Sequence, residues 1–223
     1  MTSARTAPVE AVVFDMDGVL VESEELWDEA RRALALERGL TWPEYAQREM
    51  MGMSSLEWSR YMRDRIGLEE PPERISTEVA ERIEALYRRH LPLLDSAVEA
   101  VRRMAGSFRL GLASSSNRSI IDLVLELAGI VSEFEVTVSS EEVARGKPAP
   151  DVYLEVLRRM AVAPARAAAI EDSTSGILSA KAAGMLVLAF PSPVFPPRAD
   201  ALAAAGVVLG SLAELTPEIV LTF

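Results

Sequence analysis

Six short apolar runs recur along the chain, and each is followed by small or polar residues. They occupy residues 11–14, 110–113, 134–138, 167–170, 186–190 and 207–209. Apolar runs of this length are typical of strands that are buried on both faces of a parallel sheet. Helical patterns separate the later runs, at residues 96–104, 119–128, 150–160 and 175–183. The alternation predicts an α/β fold with a doubly wound, mostly parallel sheet.

One connection departs from this alternation. Residues 19–107 separate the first two apolar runs, whereas an ordinary crossover takes roughly 12 to 30 residues. An inserted domain explains the excess, and its sequence predicts helices at residues 24–38, 44–50, 55–66 and 73–90. We therefore expect a core of residues 1–20 and 93–223 and a small, all-helical cap domain of residues 21–92. A Ser96-x-x-Glu99 capping box predicts the start of the first helix after this cap.

Charge and residue usage exclude several classes of protein. The 223 residues include 23 Lys and Arg against 34 Asp and Glu, a formal net charge of -11, which disfavours binding to nucleic acid. The absence of Cys excludes thiolate catalysis and cysteine-ligated metals, and a single histidine, His90, excludes a multi-histidine metal site.

Membrane insertion is also not expected. The first ten residues contain no apolar signal region, and the longest nearly apolar stretch, residues 201–209, is far shorter than the ~20 residues that span a bilayer. We expect a cytoplasmic protein that binds neither nucleic acid nor membrane. The sequence does not indicate an oligomeric state.

The residues directly after the apolar runs are the candidates for chemistry, because ligands of open α/β sheets bind outside the carboxyl ends of the strands. Two aspartates follow the first run, and a serine cluster with an asparagine follows the second. A lysine lies in the loop after the third run, and a glutamate and an aspartate follow the fourth. The candidates are Asp15, Asp17, Ser114, Ser115, Asn117, Lys147, Glu171 and Asp172.

Four carboxylates at one edge of a sheet require a compensating cation, because like charges at close range disfavour each other. Oxygen ligands without imidazole or thiolate match magnesium best, and a bound magnesium is typically shared with a substrate phosphate. Lys147 and the Ser114 hydroxyl can then bind the oxygens of a phosphoryl group. The residues predict a phosphoryl-transfer site.

These motifs, in this order, resemble those of phosphatases of the haloacid dehalogenase superfamily. The strings that carry the resemblance are FDMDGVLVES, LASSSN, RGKPAPDVY and IEDSTSGILSAKAAGM, and the helical insert is similar to the small cap of that superfamily. The resemblance implies that Asp15 is the nucleophile, which forms an aspartyl-phosphate, and that Asp17 is the general acid and then the general base. It also implies magnesium ligands from Asp15, the backbone carbonyl of Asp17 and Asp172, supported by Glu171.

The same resemblance indicates the groups that meet the substrate. The residues expected to bind the substrate phosphate are Ser114, Ser115, Asn117 and Lys147. Gly52 lies in cap residues 50–53, the candidate for the cap loop that contacts the substrate, because glycine allows a close approach.

Other activities of the superfamily fit the sequence less well. Its dehalogenases lack the aspartate at Asp17, and its phosphonoacetaldehyde hydrolases need a cap lysine, which residues 21–91 do not contain. β-Phosphoglucomutase-like enzymes have a histidine and an arginine in the cap, and at these positions this chain has Trp27 and Ser55. The mutase stays as the alternative, with a non-catalytic sensor of phosphorylated ligands as a second. We expect a magnesium-dependent hydrolase of a small phosphomonoester, such as a sugar phosphate.

Overall fold

A single parallel sheet organises the computed structural model, which describes residues 8–222. Its strands are β1 (Ala11–Phe14), β2 (Arg109–Ser114), β3 (Val136–Ser139), β4 (Ala167–Glu171), β5 (Leu186–Ala189) and β6 (Val207–Val208). The strand order is β3-β2-β1-β4-β5-β6, so the chain winds outward from β1 on one side and returns to β4 on the other. This doubly wound topology confirms the predicted fold class. Residues 1–7 and 223 of the predicted core lie outside the described residues.

The long connection between β1 and β2 forms a helical insert, as the sequence predicts. Its helices are α1 (Glu24–Glu37), α2 (Ala46–Met50), α3 (Ser55–Tyr61) and α4 (Pro72–Arg89), with a π-helical turn at Met62–Ile66. The buried residues Ile75, Val79 and Ile83 recur every four residues on α4, which packs against α1. Val21 pairs with Leu93 where the chain enters and leaves the insert. The domain limits at residues 20/21 and 92/93 stay a prediction.

Helices of the core cover both faces of the sheet. They are α5 (Ala97–Ala105), α6 (Arg118–Ala128), α7 (Asp151–Met160) and α8 (Thr174–Ala182), followed by the short α9 (Ala199–Leu202) and α10 (Pro217–Leu221). Val12 and Phe14 pack with α5 and α6, whereas Ala11 and Val13 pack with α7 and α8, because alternate strand residues point to opposite faces. Within residues 8–222, no helix has the length and apolar character needed to cross a membrane.

The start of α5 differs from the sequence prediction. Ser96 has a left-handed backbone, with φ of 63°, and its side chain makes no capping hydrogen bond. The predicted capping box with Glu99 is therefore wrong, because a capping side chain needs an extended backbone to reach the free N–H groups of the first turn. A capping box does form at Ser139, whose N–H donates to Glu142 at 2.9 Å.

Candidate active site

The residues that follow β1, β2 and β4 line one cavity of about 740 Å³. Small-molecule sites usually measure roughly 300–1,000 Å³. The N–H of Asp15 donates to the carbonyl of Ile170 in β4 at 3.0 Å, which holds two of the strand ends together. Asp15, Lys147 and Asp172 lie on the cavity wall. The sheet topology thus brings together charged residues that are far apart in the sequence.

Lys147 lies at the centre of this charged cluster and is only 5% exposed. Its Nζ lies 2.9 Å from Asp15 Oδ1 and 2.6 Å from Glu171 Oε1. The hydroxyl of Tyr153 donates to the same Glu171 oxygen at 2.7 Å, and the Tyr153 ring centroid lies 5.1 Å from Nζ. Lys147 therefore holds a buried positive charge between two carboxylates and is not a surface lysine.

Burial and repulsion shift the pKa values of these groups. Burial, reinforced by the charge of Glu171, raises the pKa of Asp15 to about 8, although Lys147 opposes the shift. Burial and then the charges of Glu171 and Asp15 raise the pKa of Asp172 well above its usual value. Burial alone would lower the pKa of Lys147, but Asp15 and Glu171 outweigh burial and raise it. The Lys147 ammonium alone does not balance three carboxylates, so the site favours a further cation.

The three carboxylates Asp15, Glu171 and Asp172 each place one oxygen within 4.8 Å of the others. Glu171 Oε1 already accepts from Lys147 and Tyr153. Asp15 and Asp172 are therefore better placed to bind a cation, whereas Glu171 holds Lys147. A donor set that consists of oxygen atoms fits a hard divalent ion such as magnesium.

Gly18 allows Asp172 to approach the backbone that follows Asp17. Its φ is +78°, a left-handed conformation, and a Cβ atom there would lie 2.1 Å from Asp172 Oδ2. A side chain at this position would displace the carboxylate. Asp172 thus lies against Gly18. The residue before Gly18 is Asp17, and the backbone carbonyl of Asp17 is an expected metal ligand.

The Asp17 side chain is held by a separate set of donors. Ser23 donates to Oδ1 at 2.6 Å, Trp27 Nε1 donates to the same oxygen at 3.3 Å, and Ser116 donates to Oδ2 at 2.7 Å. The carboxylate cluster that could hold a metal does not include this side chain, so a metal contact from Asp17 would use its backbone carbonyl. The sequence prediction missed Ser23 and Ser116 as partners of Asp17.

Ser114, the last residue of β2, and Ser115, which follows it, have different surroundings. Ser115 lines the cavity, and its buried hydroxyl has no hydrogen-bond partner within residues 8–222. Ser114 is fully buried, and its hydroxyl accepts from the Ser116 N–H at 3.0 Å and lies 3.4 Å from Asp17 Oδ2. Ser115 is therefore the hydroxyl better placed to bind a ligand.

Asn117 does not have the surroundings expected of a phosphate ligand. Its Nδ2 donates to Ser76 of α4 at 2.9 Å and to Glu141 at 2.7 Å. Both amide hydrogens are thus used, and the amide oxygen can only accept, which disfavours contact with a phosphate. Phosphate binding by Asn117 stays a prediction, and these contacts, which join the helical insert to the core, do not favour it.

Gly52 lies on the cavity wall, where the predicted cap loop meets the core. Its φ is +71°, and a Cβ atom there would lie 2.5 Å from Ser175 Oγ. Glycine therefore lets the loop approach α8 closely. The contact of Gly52 with a substrate stays a prediction.

The insert also supplies charged residues to the cavity that the sequence prediction missed. Arg31 and Arg48 both line the cavity, together with Glu24. Glu24, Trp27 and Arg31 are spaced by three and four residues on α1, so they share one face of that helix. This spacing is the signal that could have identified them, because charged residues seldom lie on a helix face that is otherwise buried.

Known proteins are similar to this chain over both the core and the insert. Residues 9–184 match the sequence profile of a family described as haloacid dehalogenase-like hydrolase. The chain is 33% identical over 181 residues to the phosphorylated carbohydrates phosphatase of Thermotoga maritima. This alignment covers 79% of this chain and 82% of that protein. It is 32% identical over 215 residues to hexitol phosphatase B of Escherichia coli strain K12, with coverage of 92% and 94%.

Solved structures show the same arrangement. CbbY from Rhodobacter sphaeroides, in complex with phosphate, matches this fold with a TM-score of 0.84 and 29% sequence identity. The match covers 96% of this chain and 100% of that chain. The helical insert and the sheet are thus similar in both proteins.

Proposed function

The chain belongs to the haloacid dehalogenase-like hydrolase family and is a phosphatase, and from this we propose that it hydrolyses a small sugar or polyol phosphate. We propose that the reaction passes through an aspartyl-phosphate on Asp15. The observation that carries the proposal is the Lys147 ammonium, buried between Asp15 and Glu171 on a cavity that Asp172 also lines. A positive charge in this position attracts a phosphoryl group to the carboxylate that attacks it.

The chain's own groups account for both steps of the reaction. A carboxylate oxygen of Asp15 attacks phosphorus, and the bond from phosphorus to the leaving oxygen breaks. Lys147 and the Ser115 hydroxyl, which has no hydrogen-bond partner among residues 8–222, donate to the phosphoryl oxygens, where negative charge develops. Magnesium, held by Asp15, Asp172 and the Asp17 carbonyl, supplies further charge stabilisation when it is bound. Asp17 gives a proton to the leaving oxygen and then takes one from the water that hydrolyses the aspartyl-phosphate.

The cavity and its cover favour compact substrates. The helical insert forms one wall of the cavity, which favours a compact substrate over a phosphoprotein. Two relatives are named as phosphatases of phosphorylated carbohydrates and of hexitols, which supports a sugar or polyol phosphate as the substrate. We also propose that the protein binds a small phosphorylated metabolite and that it is located in the cytoplasm.

Hydrolysis is favoured over phosphomutase action. Trp27 stands where the mutase expects a histidine, and its indole N–H donates to Asp17 but the indole cannot accept a proton as an imidazole does. Incubation with β-glucose 1-phosphate, magnesium and a trace of the bisphosphate should release free phosphate. Rapid formation of glucose 6-phosphate with little free phosphate would support the mutase instead.

Asp15→Asn tests the proposed nucleophile, because an amide cannot form an acyl-phosphate. Hydrolysis of 4-nitrophenyl phosphate should fall to background while the circular dichroism spectrum stays native. Hydroxylamine, added during turnover, should trap a hydroxamate at Asp15 of the wild-type protein, detectable by peptide mass spectrometry. Asp122→Asn, at an exposed aspartate of α6, is the matched control. A near-normal kcat in Asp15→Asn would show that water attacks phosphorus directly.

A further inference from the structure

Arg31 is a buried arginine on the cavity wall of the insert. It is 5% exposed, and its guanidinium carbon lies 5.0 Å from the Trp27 ring centroid and 4.9 Å from that of Trp58. Two aromatic rings thus fix the guanidinium through cation–π contacts. Its Nε–H is buried and has no hydrogen-bond partner within the described part of the chain. A buried, unsatisfied donor on a residue of the cavity wall calls for an explanation, and the placement of Arg31 points to a role in ligand binding.

Gln47 links Arg31 to Glu24 within the insert. Arg31 Nη1 donates to Gln47 Oε1 at 3.3 Å, and Gln47 Nε2 donates to a carboxylate oxygen of Glu24 at 2.6 Å. Burial lowers the pKa of Arg31 to about 10, against the opposing effect of Glu24, so the guanidinium stays charged near neutral pH. Gln47 therefore links an arginine and a glutamate that both line the cavity.

This combination suits hydroxyl groups better than a second anionic group. A hydroxyl accepts from a guanidinium and also exchanges a hydrogen bond with a carboxyl group, so it satisfies both sides of the network. Burial raises the pKa of Glu24 to about 7, although Arg31 opposes the shift. A phosphate or carboxylate placed beside Glu24 would add repulsion to a carboxyl group that is already difficult to ionise.

We propose that Arg31, oriented by Gln47 and paired with Glu24, binds the hydroxyls at the non-phosphorylated end of a polyol or sugar phosphate and sets the substrate specificity. The inference rests on the proposed phosphatase function and assigns the side of the same cavity that the insert forms. Lys147 and Asp15 meet the phosphate on the core side, whereas this network meets the carbon chain on the insert side.

Matched substrates separate the two ends of the site. Sorbitol 6-phosphate and n-hexyl phosphate have the same number of carbon atoms, but only sorbitol 6-phosphate has hydroxyls along the chain. The wild-type protein should prefer sorbitol 6-phosphate in kcat/KM by at least about 10²-fold, because a site built for hydroxyls leaves polar groups unpaired with the alkyl substrate. Arg31→Met should lower this preference about tenfold or more, with KM for sorbitol 6-phosphate rising.

Two further variants make the test specific. Arg32→Met changes the exposed arginine next in sequence and should leave the preference unchanged. Gln47→Met removes the acceptor that orients the guanidinium without touching the tryptophan rings, and should also lower the preference. Thermal melting checks that each variant is folded. If Arg31→Met does not fold, the substrate preference of Gln47→Met tests the inference instead.

The possible results are distinct. A preference that is unchanged in a folded Arg31→Met or Gln47→Met protein would overturn the inference. Faster hydrolysis of fructose 1,6-bisphosphate than of sorbitol 6-phosphate, lost in Arg31→Met, would show that Arg31 binds an anion and would also overturn it. If the wild-type protein hydrolyses n-hexyl phosphate but not sorbitol 6-phosphate, the phosphatase function stands and the inference fails. If neither ester is hydrolysed but 4-nitrophenyl phosphate is, the inference fails; if none of the three is hydrolysed, the proposed function itself is rejected.

Discussion

Lys147→Met removes the buried charge at the centre of the site while it keeps most of the side-chain volume. The exposed fractions of the side chains are 3% for Lys147, 8% for Asp15 and 0% for Glu171, so water does not replace the lost ammonium. Nζ lies 2.9 Å from Asp15 and 2.6 Å from Glu171, so both contacts are direct. The substitution therefore leaves two buried carboxylates without their cation.

The expected loss of stability follows from this geometry. Removal of one partner from a buried ion pair costs about 3–5 kcal/mol, because an uncompensated charge remains. The Tyr153 hydroxyl still donates to Glu171, which places the expected value within that range and not above it. Hydrolysis should fall on the order of 10²-fold or more, because we propose that Lys147 is a preorganised donor for the developing phosphoryl charge.

The pH dependence of this loss has a defined sign. The folded-state pKa of Lys147 lies above its usual 10.5, so its contribution is fully present below pH 10.5 and is lost as pH rises through the folded-state value. Between about pH 6 and 9 the wild-type protein should therefore stay the more stable of the two.

Urea unfolding and hydrolysis of 4-nitrophenyl phosphate, both with magnesium, measure the two effects. Lys181→Met is the matched control, because Lys181 is the chain's only other lysine and lies exposed on α8. Its substitution should change the free energy of unfolding by less than about 0.5 kcal/mol, as is usual for surface positions. If Lys147→Met matched this control in both assays, a buried, functional Lys147 would be refuted.

Three other perturbations test separate parts of the site. EDTA should abolish hydrolysis of 4-nitrophenyl phosphate and magnesium should restore it, because the carboxylates around Asp15 need a cation; full activity in EDTA would contradict a metal site. Tyr153→Phe should lower the free energy of unfolding in urea by about 1.5–3 kcal/mol, because Glu171 loses a donor at 2.7 Å. Gly52→Ala should lower kcat/KM, because the added Cβ atom would lie 2.5 Å from Ser175 Oγ at a positive φ; unchanged kinetics would remove this loop from the site.

The strands were predictable because burial on both faces leaves a signal within a few residues. All of β1 and β4 is buried, and both sequences, AVVF and AAAIE, are apolar except for Glu171, the last residue of β4. The ends are less certain, as residue 134 shows. Phe134 was placed in the third strand, but it packs edge-on against Phe14 at 6.1 Å, and β3 begins at Val136. Apolar residues beside a strand contribute to the core without pairing in the sheet.

The charged cluster was predictable for a topological reason, since Asp15 and Asp172 directly follow neighbouring strands of one sheet. The contact of Tyr153 with Glu171 was not predictable, because Tyr153 lies on α7 and the rule about strand ends does not apply to a helix residue. The left-handed Ser96 likewise depends on contacts beyond its own segment, which the Ser96-x-x-Glu99 pattern does not contain.

Arg31 shows most clearly which part of the function the local sequence does not contain. Its position between Trp27 and Trp58 joins two helices of the insert, and its place on the cavity depends on how the insert lies over the core. Asp15, Glu171 and Asp172, in contrast, lie at the ends of neighbouring strands of the sheet. If the proposals hold, a substitution at Arg31 should change which carbon chain is accepted while the phosphoryl chemistry proposed for Asp15 and Lys147 is retained. This separation is why the motifs indicate the reaction, and why the packing of the insert is needed to propose the substrate.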